Sequence, residues 1–247
     1  MKRTLTLFLL LTAVLAAFAQ QTYTVKSPDG NTAFSLKLDG TLQYSISVGG
    51  KTIVDWSCLG YTGDISEADQ VIALIPRSGK AFRGKEEWHP LWGKQSEVKA
   101  KYNWQAFNVV GPSNDDLEVR VFNEGVAFRL SAMKDGIYEK TDFNFAGDYT
   151  AWYYNGERHN IGPERLSDAN GERLPLATIK VSDDLYLALH EANLPYDGWP
   201  MRLLAEKGTT SLKIAPERIS GFKGEFVGAW RVLMVGKTPG DLVDSHL

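Results

Sequence analysis

Glu191 is the residue whose type and setting offer the most chemistry. It follows the apolar run Leu185–Leu189 (LYLAL) and precedes the turn-rich stretch Ala192-Asn193-Leu194-Pro195-Tyr196-Asp197-Gly198. A carboxylate at a strand end is held by rigid backbone and can point into a cleft, which suits a Ca²⁺ site built from oxygens at about 2.3–2.6 Å. The plainer alternative is a solvated glutamate at the start of a loop, and residue physics alone favours it. His190 stands next to Glu191, but neighbours on an extended strand point to opposite faces. The two should not converge on one ligand unless the strand bulges.

Aromatic side chains form the second group of interest. Trp88, Trp92, Tyr102 and Trp104 lie in EEWHPLWGKQSEVKAKYNW, and Trp152, Tyr153 and Tyr154 lie together further on. An exposed indole fits the C–H face of a sugar ring, whereas a buried one fills the space between sheets. Core packing is expected for most of them. Trp88 and Trp92 keep a claim to sugar contact, because Glu86, His89 and Lys94 would be odd neighbours deep in a core.

Other chemistries find little support. The sequence has no G-x-S-x-G elbow, P-loop, HExxH, EF-hand loop or dinucleotide fingerprint. His89, His159, His190 and His246 lack ligand spacing, and the single cysteine, Cys58, reads as a small packed residue rather than a nucleophile. Glycoside hydrolysis needs two carboxylates across the scissile bond. No pair among Asp148, Glu157, Glu164, Asp168, Glu172, Asp183 and Asp184 can be nominated, so no catalytic or substrate-binding residue is assigned. A formal charge of −3 gives no field to gather phosphate backbones, which disfavours nucleic acid as a partner.

The elements that must position these groups read as strands. After Thr22 the pattern alternates: Thr32, Phe34, Leu36 and Leu38 oppose Ala33, Ser35 and Lys37, and Leu42, Tyr44, Ile46 and Val48 repeat the pattern. Asp29-Gly30, Asp39-Gly40 and Gly49-Gly50 mark tight turns between the runs. Further hairpins are expected around Asn123-Glu124-Gly125, Ser182-Asp183-Asp184 and Glu206-Lys207-Gly208, and a strand within Glu225–Val235. The section Asp148–Leu174 is polar without either period and reads as a long surface excursion. Together these features predict an all-β sandwich.

The N-terminus, MKRTLTLFLLLTAVLAAFAQQ, has the basic, apolar and small-residue parts of an export signal, with cleavage expected after Ala19. Its apolar run falls short of the ~18–20 residues needed to span a bilayer, and no later segment approaches that length. A periplasmic or secreted location is expected.

Five segments, in order, resemble the N-terminal domain of glycoside hydrolase family 97, exported bacterial α-glucosidases and α-galactosidases. They begin with Ser27-Pro28-Asp29-Gly30 and Trp88-His89-Pro90-Leu91-Trp92-Gly93. Phe122-Asn123-Glu124-Gly125-Val126-Ala127-Phe128-Arg129 and His190-Glu191-Ala192-Asn193-Leu194 follow. Ala229-Trp230-Arg231-Val232-Leu233-Met234, with Thr238-Pro239-Gly240-Asp241-Leu242-Val243 after it, completes the set. The resemblance implies a large β-supersandwich akin to the galactose mutarotase-like fold. It also implies a (β/α)₈ catalytic barrel as partner, in the same chain or a separate one, and an α-linked oligosaccharide as substrate. Glu191 matches the glutamate by which this domain helps to hold an active-site Ca²⁺. The implied division is a leader over residues 1–19, the sandwich over 20–240, and over 241–247 the start of a linker to the barrel. Such a domain would be inactive alone. A stand-alone sugar-binding module and a mutarotase-like isomerase using His190 and Glu191 are the alternatives.

Overall fold

Period-two patterning and glycine turns together dictate the first four strands. In the computed structural model, Thr32–Asp39 pairs antiparallel with Thr41–Val48, and the latter with Lys51–Cys58. Gly40 (φ 70°) makes the first connection, and Gly49 and Gly50 (φ 58° and 78°) make the second, in a conformation that costs other residues strain. Thr22–Lys26 pairs along the free edge of Thr32–Asp39. The structure describes residues 21–64, 71–93, 95–111, 115–157, 159–195 and 200–247; the expected leader, Lys94 and Tyr196 lie outside them.

This first sheet continues from Lys51–Cys58 through Asp142–Phe145, Ser211–Ile214 and Leu203–Ala205. The second sheet begins with Ala73–Pro76 and Phe82–Trp88, both paired to Val98–Val110. It then runs through Asp115–Phe122, Gly125–Ala132, Trp230–Gly236 and Leu185–Ala192. One long strand, Gly171–Ser182, belongs to both sheets. Its first residues pair with Leu203–Ala205 and its later ones with Leu185–Leu189. The molecule is thus an all-β sandwich with the sheets stitched together along one side.

Between the sheets lies an aromatic centre of Phe34, Tyr44, Phe128 and Phe143, with Tyr44 and Phe128 ring centroids 5.0 Å apart. The Tyr44 hydroxyl donates to the Asp142 carbonyl at 2.6 Å, so its burial leaves no polar group unpaired. Alternation also gives the second sheet an apolar outer face. Tyr102, Phe122, Ala188, Val232 and Met234 gather there beneath Leu242. Leu242 is carried by the Pro239–Asp244 helix, which opens with a capping box: Thr238 Oγ1 accepts from the Asp241 N–H while the Asp241 carboxylate accepts from the Thr238 N–H.

Two expectations need correction. Asp148–Leu174 is not a surface excursion: it contains the strands Thr150–Tyr154 and Ile161–Arg165, and it buries Ala151, Tyr153, Leu166 and Ala169. Its polar middle, Asn155–Asn160, masks two short runs whose alternation is too brief to register as a period. Cys58 is half-buried rather than packed away. Burial and the nearby Asp142 push its thiol pKa up, which disfavours the nucleophilic thiolate.

Candidate functional site

The site is built at the end of a central strand. Leu187 and Leu189 of Leu185–Ala192 point into the core, and Glu191 continues that inward series to the rim of the sandwich. Its partner across the ladder is Arg231, on Trp230–Gly236. Arg231 Nη1 donates to Glu191 Oε2 at 2.8 Å. Arg231 Nε donates to Glu139 Oε1 at 2.9 Å, and Nη2 closes a short bond to Glu139 Oε2. Glu139 ends Ile137–Glu139, the middle strand of a small sheet completed by Tyr61–Thr62 and Arg218–Ile219.

The three side chains are only 8% (Arg231), 10% (Glu139) and 15% (Glu191) exposed. Burial alone would drive the guanidinium towards losing its proton. The charge and hydrogen bonds of Glu139, with Tyr61 and Glu191 behind them, reverse this and raise the Arg231 pKa above its ordinary value. Burial, reinforced by Glu139, also pushes the Tyr61 hydroxyl well above the usual tyrosine range.

How well this rim suits a cation can be read from the lone pairs. The Met201 N–H donates to both Glu191 oxygens, at 2.9 Å each, and so lies across the edge a metal would use for two-oxygen chelation. Arg231 occupies a further position on Oε2. Glu191 therefore keeps one oxygen, Oε1, with room for another partner. Both oxygens of Glu139 are engaged by Arg231. Calcium wants about six to eight oxygens, and the described residues hold no group of three or more His, Cys, Asp and Glu side chains fit for a metal. The rim thus leaves one oxygen of Glu191 open, a single ligand position rather than a full shell among the described residues.

His190 takes the opposite face, as alternation requires. It lines an outer groove of about 620 Å³ with Leu176, Ala188, Met234 and Leu242, a groove that Glu191 borders while its carboxylate is held by Met201 and Arg231. Its Nδ1 lies 3.0 Å from the Glu191 carbonyl oxygen, and its Nε2 is buried without a partner. Burial lowers its pKa, which favours the neutral imidazole. The two residues do not form an acid–base pair. Trp92 is 84% exposed and Trp88 is 41% exposed, while Tyr102 and Tyr153 are buried. Of the other carboxylates weighed for catalysis, Asp148, Glu164, Glu172 and Asp183 are each spent on a cation: Arg165, Arg173, Arg202 and Lys180 respectively.

Sequence reasoning overlooked Arg231 and Glu139 as site residues. A signal for Arg231 was present: it is the lone charge in the apolar run Ala229–Gly236, at an inward position that demands a buried counter-charge. Glu139 carried no comparable signal, since it arrives from a three-residue strand of the small sheet.

The architecture is a two-sheet β-supersandwich that presents a held carboxylate at its rim. The chain belongs to the glycosyl-hydrolase 97 N-terminal family, which it matches over residues 25–247. It is 25% identical over 237 residues to a retaining alpha-galactosidase of Bacteroides thetaiotaomicron, a match covering 86% of this chain and 35% of that protein. Among solved structures it resembles a glycoside hydrolase family 97 enzyme in complex with acarbose from Pseudoalteromonas sp. strain K8. There the TM-score is 0.75 at 25% identity, covering 91% of this chain and 37% of that one. A beta-arabinopyranosidase shares the fold with a TM-score of 0.70 at 17% identity, covering 88% of this chain and 40% of that one. The chain thus spans little more than a third of the length of these relatives. No helix among the described residues is long and apolar enough to cross a membrane.

Proposed function

We propose that this chain is the accessory domain of an exported α-glycosidase, a glucosidase or galactosidase, and that it packs against a (β/α)₈ catalytic barrel to wall one side of the sugar pocket. The observation that carries the reading is the family match over nearly the whole mature chain against about a third of each relative's length. Glu191 gives one carboxylate oxygen to a Ca²⁺ whose other ligands come from the barrel. When bound, that ion would polarise the reacting centre or position water. This chain's own residues do the rest: Arg231 and Met201 hold the Glu191 carboxylate, and the half-exposed Leu176 beside the outer groove offers apolar area for docking. The reacting carboxylates belong to the barrel. Residues 1–19 direct export and are removed after Ala19, so the mature chain begins at Gln20.

Hydrolysis of nitrophenyl α-glucoside and α-galactoside tests the reading. The mature domain alone gives no turnover, and turnover returns when it is joined or mixed with its barrel. Turnover by purified residues 20–247 would refute it. The exposure of Trp92 favours one rival, a stand-alone sugar-binding module. In that case the isolated domain binds α-linked oligosaccharides without metal, and Trp92→Ala abolishes the binding.

A further inference from the structure

What Glu191 can present is decided by its neighbour. We infer that Arg231, anchored by Glu139, is a positioning residue that turns Glu191 so that a single oxygen, Oε1, is offered to a cation. The inference rests on the reading of Glu191 as a cation ligand and adds the residues that set its geometry and charge.

The geometry has a definite order. Glu139 receives Nε and Nη2, the forked edge of the guanidinium, so Glu139 fixes the plane of Arg231. Only Nη1 then remains directed at Glu191, where it takes Oε2. The Met201 N–H spans both oxygens from another side. The Glu191 carboxylate is pinned from two directions, and the free position falls on Oε1. A lysine could not reproduce this, because an ammonium is a point charge without the planar fork that bridges two carboxylates.

The charge follows the same order. Glu139 cancels Arg231, so the buried group of three carries one net negative charge, and it sits on Glu191. Were Glu139 neutral, Arg231 would instead cancel Glu191, and the rim would face a dication with no net charge. Low exposure of all three side chains makes the difference strongly felt. The three residues come from three separate strands, so the ligand's aim depends on the small sheet being docked against the large one.

The test is a luminescence titration with terbium(III), a stand-in for calcium, on this domain joined or mixed with its catalytic barrel. Titrations are run well below each variant's melting temperature, which is recorded alongside. Glu139→Gln, nearly isosteric, weakens terbium binding about tenfold, and Arg231→Lys weakens it by a similar factor, each equivalent to about 1.4 kcal/mol. A purely structural role would lower the melting temperature and leave the affinity of the folded protein unchanged. Glu191→Gln separates the two levels of the argument. If it leaves terbium affinity intact, Glu191 is not a ligand and the parent reading fails with the inference. If it removes binding while folded Glu139→Gln and Arg231→Lys bind as the parent does, the positioning role is overturned and the ligand reading stands. Where Arg231→Lys does not fold, Glu139→Gln decides alone.

Discussion

Replacing Arg231 with methionine keeps most of the side-chain volume and removes the one cation between two carboxylates. Both carboxylates are largely shielded, Glu139 at 10% and Glu191 at 15% exposure, so water can compensate little. Breaking a buried ion pair from one side costs about 3–5 kcal/mol, because the remaining charge is left desolvated and alone. For a domain of this size each kcal/mol moves the melting temperature by about 2–4 °C, giving a fall of roughly 6–20 °C at neutral pH. One further result distinguishes this cause from lost packing. The triple variant Arg231→Met, Glu139→Gln, Glu191→Gln regains at least half of the loss, because no uncompensated charge remains. Thermal unfolding followed by circular dichroism at pH 7.5 measures both variants. A melting temperature for Arg231→Met within about 2 °C of the parent at pH 7.5 would refute the reasoning, for it would give the pair the worth of a surface salt bridge.

Asp148 accepts from the Ser167 N–H at 3.0 Å, the Ser167 hydroxyl at 2.9 Å and Arg165 Nε at 3.1 Å. The backbone bond above all lowers its pKa below the ordinary 3.8. A folded value below the unfolded one contributes stability that is present above the unfolded pKa and lost as pH falls through the folded one. Asp148→Asn therefore flattens the acid limb of stability below about pH 4 and leaves the neutral range unsloped, as urea midpoints across pH 2–6 would show. Thr238→Ala removes the cap of the C-terminal helix and costs about 1 kcal/mol. Hydrogen exchange at Asp241 and Leu242 rises about fivefold in that variant, whereas the distant Tyr44 amide is unaffected.

What could be read in advance followed from strict local rules. Phe34, Leu36, Tyr44 and Ile46 alternate with polar residues, and Gly40, Gly49 and Gly50 take the turn conformations only glycine adopts cheaply; both signals are complete within ten residues. The separation of His190 from Glu191 was legible for the same reason, since it needs only the pleat. Thr150–Tyr154 and Ile161–Arg165 were missed because they are short and flanked by polar loops; their pairing with each other, and that of Thr150–Tyr154 with Gly171–Ser182, defines them, not their own pattern. The Glu139–Arg231 bond joins residues 92 positions apart. Contacts of that range depend on how the sheets close, and no window of sequence displays them.

The pleat that divides these residues also divides the strand's work, which makes register the point on which the whole site turns. On Leu185–Ala192 the inward series ends in Glu191, and the outward series places Ala188 and His190 in the groove beneath the C-terminal helix. A slip of one residue against Trp230–Gly236 would exchange the two series and bring His190 against the core. Two features oppose it. Ser182 Oγ donates to Asp184 Oδ1 at 2.7 Å in the turn that launches the strand, and Leu187 and Leu189 would both have to leave a fully buried environment. At the other end the Arg231–Glu191 pair adds a polar lock, since out of register Glu191 would face Val232 or Trp230 and lose its cation. A buried ion pair contributes little net stability but strongly penalises the wrong pairing. The same arginine therefore aims the glutamate and fixes the register that brings the glutamate to the rim.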